Sequence, residues 1–309
     1  MPDKTWKVLE LLNTTAAYFE DKQIENPRLN AEQLLCNVLN MQRVDLYVAF
    51  ERPVSSAELD AYRKLVKRRA AREPLQYILG ETEFFGLPFT VNPQVLIPRP
   101  ETELLVERVL TLREEYKDES PLIAEIGTGS GCIAVSVAKN WPQARLLATD
   151  VSPEVLEAAR QNSARNNIRA DFVEDGVHSA QEAGLPACVN LFEHDIFNEW
   201  PHWLEGKIDI LVSNPPYIAA AEMTALQPEV KDYEPTDALT DHNDGLLFYR
   251  RLFQLSLAEQ GPGCRYLLLE MSGSQPQKII ALSKQFPFQS VKVYNDLNEI
   301  PRVLKIKVY

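Results

Sequence analysis

Apolar positions in the first 80 residues recur with the period of an α-helix. Between residues 6 and 19 they fall at Trp6, Leu9, Leu12, Ala16 and Phe19. Two further stretches, 26–41 and 55–72, repeat this spacing, which is typical of helices with one buried face. Ser55 followed by Glu58 is a capping-box pair at the start of the second of these stretches. Residues 1–80 are therefore predicted to form a small all-helical domain.

The pattern changes to strict alternation over residues 81–103. Phe85, Leu87, Phe89 and Val91 alternate with less apolar positions, and Asn92-Pro93 then turns the chain into QVLIP. Alternation interrupted by turn residues predicts a β-hairpin, which would link two domains. Thr102 is the predicted start of the helix that follows.

From about residue 120, strand-like and helix-like segments alternate. The strand-like segments are LIAEIG, ARLLATD, IDILVSN and RYLLLEM, with helices expected to start near Gly131, Ser152, Asn243 and Gln275. This order predicts an α/β domain over 104–309, a parallel sheet wrapped by helices. The last two strand-like stretches have no helix between them and are expected to pair antiparallel.

The region 170–195 is ambiguous, because ADFVE and VNLFEHD both have strand character. We take one of them as the third strand, which gives seven strands in all, and residues 175–188 as an insertion.

Charge and composition restrict the possible functions. The net charge is −12 and the pI about 5.0, which argues against stable nucleic-acid binding because no basic surface neutralises phosphates. The basic run 63–72 is best explained as a solvated helix face. There is no membrane-span pattern and no signal-peptide layout, and the four scattered cysteines are typical of a cytoplasmic protein with reduced thiols. The spacing of histidine and cysteine predicts no metal site.

The first candidate ligand-binding segment is AEIGTGSGCIAVSVA, residues 124–138, a predicted strand followed by a glycine-rich turn and a helix. Gly127, Gly129 and Gly131 allow a tight turn and close approach of a ligand, although their spacing is not that of the dinucleotide fingerprint. Asp150 ends the next strand at the distance expected for a ribose ligand, although capping the following helix is an alternative. Asp195 is a candidate for contacting an adenine amino group, or an ordinary loop carboxylate.

A fourth polar strand end is Asn214-Pro215-Pro216-Tyr217, after the apolar run IDILVS. A plain turn would explain these residues, because proline cannot continue a sheet. However, the carboxyl ends of strands in an open α/β sheet share one crevice. NPPY is therefore expected to lie beside the glycine turn and Asp150.

These motifs resemble class I S-adenosylmethionine-dependent methyltransferases that act on a planar NH2 group. Two longer stretches, 74–103 and 233–252, are similar to the HemK/PrmC family, which methylates the glutamine N5 of the GGQ motif in class-1 peptide chain release factors. The resemblance implies a Rossmann-like sheet, S-adenosylmethionine as cofactor and a helical N-terminal domain that grips the release factor.

The resemblance also implies roles for individual residues. The cofactor-binding residues would be Glu125, Gly127, Thr128, Gly129, Ser130, Gly131, Asp150, Asp195, Ile196 and Asn214. The substrate-binding residues would be Arg99, Asn214, Pro215, Pro216 and Tyr217, of which Asn214, Pro215 and Tyr217 would be catalytic. For Arg99, an ion pair with Glu101 or Glu103 is an alternative.

The chain departs from the family pattern at three places outside these motifs, one of which is the insertion at 175–188 before the loop that carries Asp195. Asp241-His242-Asn243 stands where paired glycines are frequent, and LEMSGSQ replaces an LEIGxxQ-like stretch. Three other functions remain open: glutamine methylation of a ribosomal protein, N6-adenine methylation of DNA or RNA, and a binding scaffold without catalysis.

Overall fold

The chain forms two compact units, with a boundary between Gly80 and Glu81. One unit runs to Gly80 and also contains Gln227–Tyr233, and the other comprises Glu81–Leu226 and Glu234–Tyr309. The structure is a computed structural model that describes residues 5–117, 119–173 and 188–309. Residues 175–187 of the predicted insertion lie outside the described residues, and Cys188 begins a strand.

The first unit is helical, as its apolar period predicts. Its helices are α1 (Val8–Asp21), α2 (Pro27–Leu39), α3 (Arg43–Val48), α4 (Ser56–Ala70) and α5 (Leu75–Leu79). The predicted capping box is confirmed, because the Ser55 hydroxyl accepts the Glu58 N–H at 3.3 Å and the Glu58 carboxylate accepts the Ser55 N–H at 2.8 Å. The buried core of this unit is formed by one face of each long helix.

A distant segment of the chain completes this unit. Helix α9 (Pro228–Lys231) carries Glu229, whose carboxylate binds Arg69 at 2.9 Å and Arg72 at 2.7 Å. Two guanidinium groups therefore hold the segment Gln227–Tyr233 by charge-assisted hydrogen bonds.

The basic run 63–72 is thus only partly a solvated face. Arg69 is 5% exposed and donates to the Asn30 side chain at 2.7 Å. Arg68 pairs with Glu73 at 2.5 Å. The sequence pattern could not reveal these partners, because they come from other elements or lie beyond the end of the helix.

The hairpin is present but is shifted from its predicted position. Strands β1 (Glu81–Phe84) and β2 (Leu87–Thr90) are joined at Phe85-Gly86, and residues 92–99 form no strand. The predicted turn at Asn92-Pro93 is present, since the Val95 N–H donates to the Asn92 carbonyl at 3.1 Å, but it lies after the hairpin and does not connect its two strands. Phe85 and Gly86 have φ values of 53° and 70°, the left-handed conformation that two-residue hairpin turns require. Phe85 is therefore a turn residue and not part of the alternating strand pattern Phe85, Leu87, Phe89, Val91.

The second unit is built on a mixed eight-stranded sheet. Its strands are β3 (Leu122–Ile126), β4 (Arg145–Asp150), β5 (Arg169–Phe172), β6 (Cys188–Glu193), β7 (Ile208–Ser213), β8 (Cys264–Glu270), β9 (Ser290–Asn295) and β10 (Pro301–Lys307). Their order is β5-β6-β4-β3-β7-β8-β10-β9, and β10 runs antiparallel to both of its neighbours. The predicted antiparallel end pair is therefore confirmed.

Within the described residues the sheet has eight strands rather than the predicted seven, because both ambiguous segments form strands. β6 pairs with β4, and β5 pairs with β6 at the sheet edge. β5 is short and half-exposed, with Phe172 52% exposed, so its sequence lacks the buried apolar run that marks the central strands.

Helices cover both faces of this sheet. They are α6 (Pro100–Leu110), α7 (Cys132–Asn140), α8 (Pro153–Arg165), α10 (Thr236–Leu239), α11 (Leu247–Leu255) and α12 (Pro276–Ser283). Successive strand residues enter different cores: Ile123 packs with α6, α7 and α8, whereas Leu122 packs with α11 and α12. This double burial explains why the central strands are continuous apolar runs.

The helix starts agree with the sequence at three of four places. α7, α8 and α12 begin directly after Gly131, Ser152 and Gln275, but α11 begins at Leu247 rather than near Asn243. The intervening residues form a loop around a buried carboxylate. The helix after the hairpin begins at Pro100 rather than Thr102, since proline is favoured at the first helical position.

The strand order reverses at β3. From β3 the chain moves outward through β4 to β6 on one side, and returns to add β7 on the other side. Ligand crevices in open α/β sheets lie at such a reversal, outside the carboxyl ends of the strands. No helix among the described residues is long and apolar enough to cross a membrane.

Candidate active site

A cavity of about 730 Å³ lies at the carboxyl ends of the central strands. Its walls include the residues that follow β3, β4, β6 and β7, the segment 94–99 and part of the segment 235–248. Most of the residues singled out from the sequence line it: Arg99, Glu125, Gly127, Thr128, Gly129, Ser130, Asp150, Asp195, Ile196, Asn214, Pro215 and Pro216. Gly131 and Tyr217 are not lining residues.

The glycine turn after β3 requires its glycines. Gly127, Gly129 and Gly131 have φ values of 72°, 56° and 79°, in the left-handed region that other residues rarely adopt. A Cβ at Gly131 would lie 3.0 Å from the Ala159 Cβ, so this glycine also allows α7 to approach α8 closely. Gly131 therefore helps to set the conformation of the glycine turn, although it does not line the cavity.

Asp150 connects two walls of the cavity. One carboxylate oxygen accepts the Gly129 N–H at 3.1 Å, and the other accepts the Ser152 N–H at 3.3 Å. Burial raises the pKa of Asp150, and these backbone hydrogen bonds oppose the rise. Ser152 itself caps α8, since its hydroxyl accepts the Val155 N–H at 3.3 Å. Asp150 is therefore held in place by the glycine turn rather than serving as the helix cap.

Glu125, the penultimate residue of β3, is a second buried carboxyl group; it is 1% exposed and lines the cavity. Its Oε2 accepts the Thr128 hydroxyl at 2.8 Å and the Ala134 N–H at 3.1 Å. Its buried Oε1 has no hydrogen-bond partner among the described residues. Burial raises the pKa of Glu125 to about 8. Such an oxygen is costly unless a ligand supplies a donor.

The loop after β6 forms another wall. Asp195 accepts the Phe197 N–H at 2.9 Å, and Arg251 donates to the Ile196 carbonyl at 2.8 Å. The Phe197 and Phe248 rings meet edge to face, with centroids 5.3 Å apart. Both rings line the cavity, which gives this wall a flat apolar surface next to the Asp195 carboxylate.

The NPPY segment places an amide at the end of β7. The Asn214 Nδ2 donates to the Thr102 hydroxyl at 3.2 Å, while Pro215 and Pro216 line the cavity. The Tyr217 ring packs instead on the apolar core that contains α11, and burial raises its pKa. The packing of this ring against a bound amide stays a prediction.

A loop behind NPPY supports it. The Asp241 carboxylate accepts the N–H groups of Asn243, Gly245 and Leu247 at 2.8–2.9 Å. A Cβ at Gly245 would lie 2.4 Å from the Tyr217 carbonyl oxygen, and Gly245 has a φ of 78°. The loop and the NPPY segment are thus in backbone contact, which requires glycine.

Arg99 lines the cavity, and its ion-pair partner was not foreseen. Its guanidinium donates to Glu234 at 2.5 Å, rather than to Glu101 or Glu103. Glu103 instead accepts the Phe85 N–H at 2.7 Å. Burial raises the pKa of Glu234 and the charge of Arg99 opposes the rise. The partner is 135 residues away in sequence, so local spacing could not indicate it.

Comparison with known proteins decides the family. Residues 10–80 match the family model described as PrmC N-terminal domain, and residues 123–206 match the one described as Methyltransferase domain. A curated relative from Geobacter sulfurreducens, named release factor glutamine methyltransferase, is 39% identical over 299 residues, 97% of this chain and 96% of the relative. A relative of the same name from Chlorobaculum tepidum is 39% identical over 312 residues, 98% of each chain.

The chain belongs to the release factor glutamine methyltransferase family. The family and fold class expected from the motifs are therefore confirmed.

Among solved structures, the catalytic domain of hMettl16 in complex with MAT2A 3'UTR hairpin 6 superimposes with a TM-score of 0.52. It is 17% identical and covers 79% of this chain and 82% of its own chain. At that identity the likeness shows the methyltransferase fold alone.

Sequence reasoning missed several residues of this methyltransferase's site. Thr102 contacts Asn214, and Asp241 organises the loop behind NPPY. Glu270, 2% exposed at the end of β8, has a buried Oε2 without a partner among the described residues. An acidic residue that ends an apolar strand was the available signal, the same one that identified Asp150.

Replacing Gly245 with Ala is expected to push the NPPY segment out of place in this methyltransferase. A displacement near 1 Å costs on the order of 100-fold in transfer rate. Methyl transfer should therefore fall strongly while affinity for the cofactor changes little. Gly206→Ala is the matched control, because Gly206 has a φ of 65° but a Cβ there would meet nothing within 4 Å. Equal losses in both variants would contradict a contact-specific effect.

Glu125 predicts a pH dependence of stability for the ligand-free protein. In the folded protein the Glu125 carboxyl group stays protonated up to about pH 8, whereas its usual pKa is 4.5. Between these two pH values the folded protein therefore binds more protons than the unfolded chain. The free energy of unfolding should therefore fall as pH rises through this range, by up to about 1.4 kcal/mol per pH unit. Glu125→Gln should make the fall shallower in urea titrations across this pH range. An unchanged slope would show that Glu125 is ionised when folded.

Proposed function

We propose that this protein transfers a methyl group from S-adenosylmethionine to the side-chain amide nitrogen of the glutamine in the GGQ motif of class-1 peptide chain release factors. The observation that carries the proposal is the amide at the end of β7. The Asn214 Nδ2 is engaged by Thr102, which leaves Oδ1 to accept a hydrogen bond in the cavity. Two curated relatives named release factor glutamine methyltransferase align with this chain over nearly their full length.

The cavity residues fit the cofactor. The partnerless Oε1 of Glu125 suits the α-ammonium group, and Asp150 suits the hydroxyl groups of a ribose. A Cβ at Gly127 or Gly129 would meet nothing within 4 Å, so the backbone there is open to close approach. Asp195 lies beside the apolar wall of Phe197 and Phe248, which suits a flat base. When bound, S-adenosylmethionine supplies a methyl group that its sulfonium has already activated.

The NPPY segment acts on the other reactant. A glutamine amide is a poor nucleophile because its nitrogen lone pair is delocalised into the carbonyl group. The Asn214 Oδ1 and the Pro215 carbonyl oxygen accept the two amide hydrogens, which turns the lone pair towards the methyl group. The two prolines limit the flexibility of these acceptors. Positioning of this kind contributes up to about 7–11 kcal/mol to lowering a barrier in favourable cases.

Arg99 and, separately, the helical unit offer further groups for substrate recognition. Arg99 presents a cation to the cavity while Glu234 restrains it, so it can receive a backbone carbonyl of the substrate. The unit that matches the PrmC N-terminal domain would recognise the release factor away from the reacting glutamine. Because release factors act in translation, we place the enzyme in the cytoplasm.

Two other substrates use the same planar NH2 chemistry. Glutamine in a ribosomal protein would fit NPPY equally well, and adenine N6 would present the same two hydrogens. The net charge of −12 opposes a polyanionic substrate. The relatives' shared name favours the release factor over both.

One labelling experiment tests this function. The protein is incubated with methyl-labelled S-adenosylmethionine and one of four acceptors: a class-1 release factor, the same factor with GGQ changed to GGA, total ribosomal protein, or DNA and RNA. Label on the GGQ factor alone is expected. Label on nucleic acid or on ribosomal protein, with none on the release factor, would replace the proposal.

Two substitutions should separate substrate positioning from cofactor binding. Asn214→Ala removes the acceptor for the glutamine amide, so transfer should fall by at least about 100-fold while the dissociation constant for S-adenosylmethionine changes little. Asp150→Ala removes the group at the end of β4, so cofactor affinity should weaken by about tenfold or more. Calorimetry measures binding and label incorporation measures transfer. Full activity of Asn214→Ala would rule out its assigned role.

A further inference from the structure

A groove of about 330 Å³ lies on the helical unit, between α1 and α4. Both of these helices pack on α2, and the groove is the space left between them. At its floor, Tyr62 is 1% exposed, and its hydroxyl donates to the Ala31 carbonyl of α2 at 3.0 Å. The packing of the unit therefore fixes the floor, so the groove is preformed.

The walls of this groove are largely apolar and incompletely buried. Tyr18 on α1 is 42% exposed. Leu59 and Val66 on α4 are partly buried at the edge of the core of this unit. These two residues lie seven positions apart, which places them two turns apart on one face of the helix. An apolar groove of this length fits the apolar face of an amphipathic helix, whose anchoring side chains recur at that spacing.

The rim of the groove on α4 is basic. Arg63 and Lys67 line it, one helical turn apart, and both are exposed. Lys67 has no ion-pair partner among the described residues. Arg63 approaches Asp60 at 3.6 Å, and both side chains of this pair are more than half exposed. Such an exposed pair is weak, so both cations can bind carboxylates of a partner.

The basic run 63–72 thus contains cations with different surroundings. Arg68, Arg69 and Arg72 bind carboxylates of the same unit, which explains them by the stability of the fold. The dipole of α4 also favours a cation at Lys67, in its last turn, but it does not account for Arg63 one turn earlier. Two available cations beside an apolar groove are complementary to a segment that carries carboxylates beside apolar side chains.

The net charge of −12 limits where the acidic groups of such a partner can lie. Charges more than about 10 Å apart are largely screened at physiological salt, so the local cations decide which segment is attracted to the groove. The acidic residues therefore belong on the segment that enters the groove and are not required elsewhere on the partner.

We propose that this groove docks the protein substrate, and that its occupant is an amphipathic helix of the class-1 release factor with acidic residues beside its apolar face. This rests on the proposed function and specifies which surface of the helical unit binds the substrate. Apolar side chains of the helix pack between Tyr18, Leu59 and Val66, and its carboxylates bind Arg63 and Lys67. Because none of these residues lines the candidate active site, the groove contributes to substrate affinity and not to the chemical step.

Charge reversal on one helix tests the basic rim. Lys67→Glu reverses a cation that lines the groove. Lys64→Glu is the matched control, because Lys64 is an exposed lysine of the same helix that has no ion-pair partner among the described residues and does not line the groove. Both substitutions change the net charge equally, so a difference between them reports the groove itself.

Truncation of an apolar side chain tests the walls. Tyr18→Ser removes an exposed ring from the groove. Val48→Ser is its control, because Val48 on α3 is 87% exposed in the same unit and lies outside the groove. For each variant, kcat and KM are measured for methylation of the release factor, calorimetry gives the dissociation constants for the factor and for S-adenosylmethionine, and the melting temperature is recorded.

Lys67→Glu and Tyr18→Ser should each raise KM and the dissociation constant for the release factor by about tenfold. Their kcat and their affinity for the cofactor should stay within about twofold of the unaltered protein. Lys64→Glu and Val48→Ser should keep KM within about threefold. Added salt should raise KM of the unaltered protein, and this rise should be smaller for Lys67→Glu.

Cross-linking to the purified release factor identifies the occupant. A photo-reactive benzoyl-phenylalanine in place of Tyr18 should form an adduct at one helical segment that carries acidic residues beside apolar ones. The same group in place of Val48 should form little adduct. An adduct at a segment without acidic residues, or equal adducts from both positions, would contradict the assigned occupant.

Other results would also overturn the docking role. If the unaltered protein methylates the factor and neither Lys67→Glu nor Tyr18→Ser changes KM, the groove does not dock it and the proposed function stands. An equal rise of KM in Lys64→Glu would reduce the effect to overall charge, and a rise confined to Val48→Ser would move the surface to α3. A changed oligomeric state in sedimentation, with unchanged affinity for the factor, would assign the groove to a second copy of this chain. If the unaltered protein labels no release factor, the proposed function fails first and the docking role falls with it.

Discussion

The reversal of strand order at β3 is the constraint on which the rest of the molecule depends. The central strands are buried on both faces, so polar groups are tolerated only where the strands end. At the reversal, β4 and β7 lie on opposite sides of β3. The loops that follow these strands therefore diverge, and a crevice opens between them. Glu125, Asp150 and Asn214 all occupy these strand ends. The chemistry of the protein is therefore concentrated in one place by the topology of the sheet.

In the proposed reaction, Asn214 has to be correctly oriented more than it has to carry charge. An amide nucleophile gains little from a stronger base and much from correct alignment, so the side chains behind NPPY matter as much as those in front. The backbone of Gly245 supports the segment, and Thr102 engages its amide. Glu270 ends β8, the strand that pairs with β7.

The errors of sequence interpretation arose where the residue types allowed more than one local outcome. The hairpin turn lies at Phe85-Gly86 because two residues there adopt left-handed φ, whereas the proline at 93 suggested a later turn. Edge strand β5 is too exposed to show an apolar run. Arg99 pairs with Glu234 rather than with Glu101 or Glu103. In each case local residue types allowed two outcomes and packing selected one.

The sequence by itself determined the helical first unit, the α/β class, the glycine turn, the acidic strand ends and the NPPY segment. These follow from local rules: periodicity marks buried faces, glycine permits left-handed turns, and proline ends a strand. Only the tertiary structure decided that Gln227–Tyr233 joins the first unit, that Asp241 supports NPPY, and that Thr102 contacts Asn214. These contacts join residues far apart in the chain, and no local pattern records which buried hydrogen-bonding groups will satisfy each other.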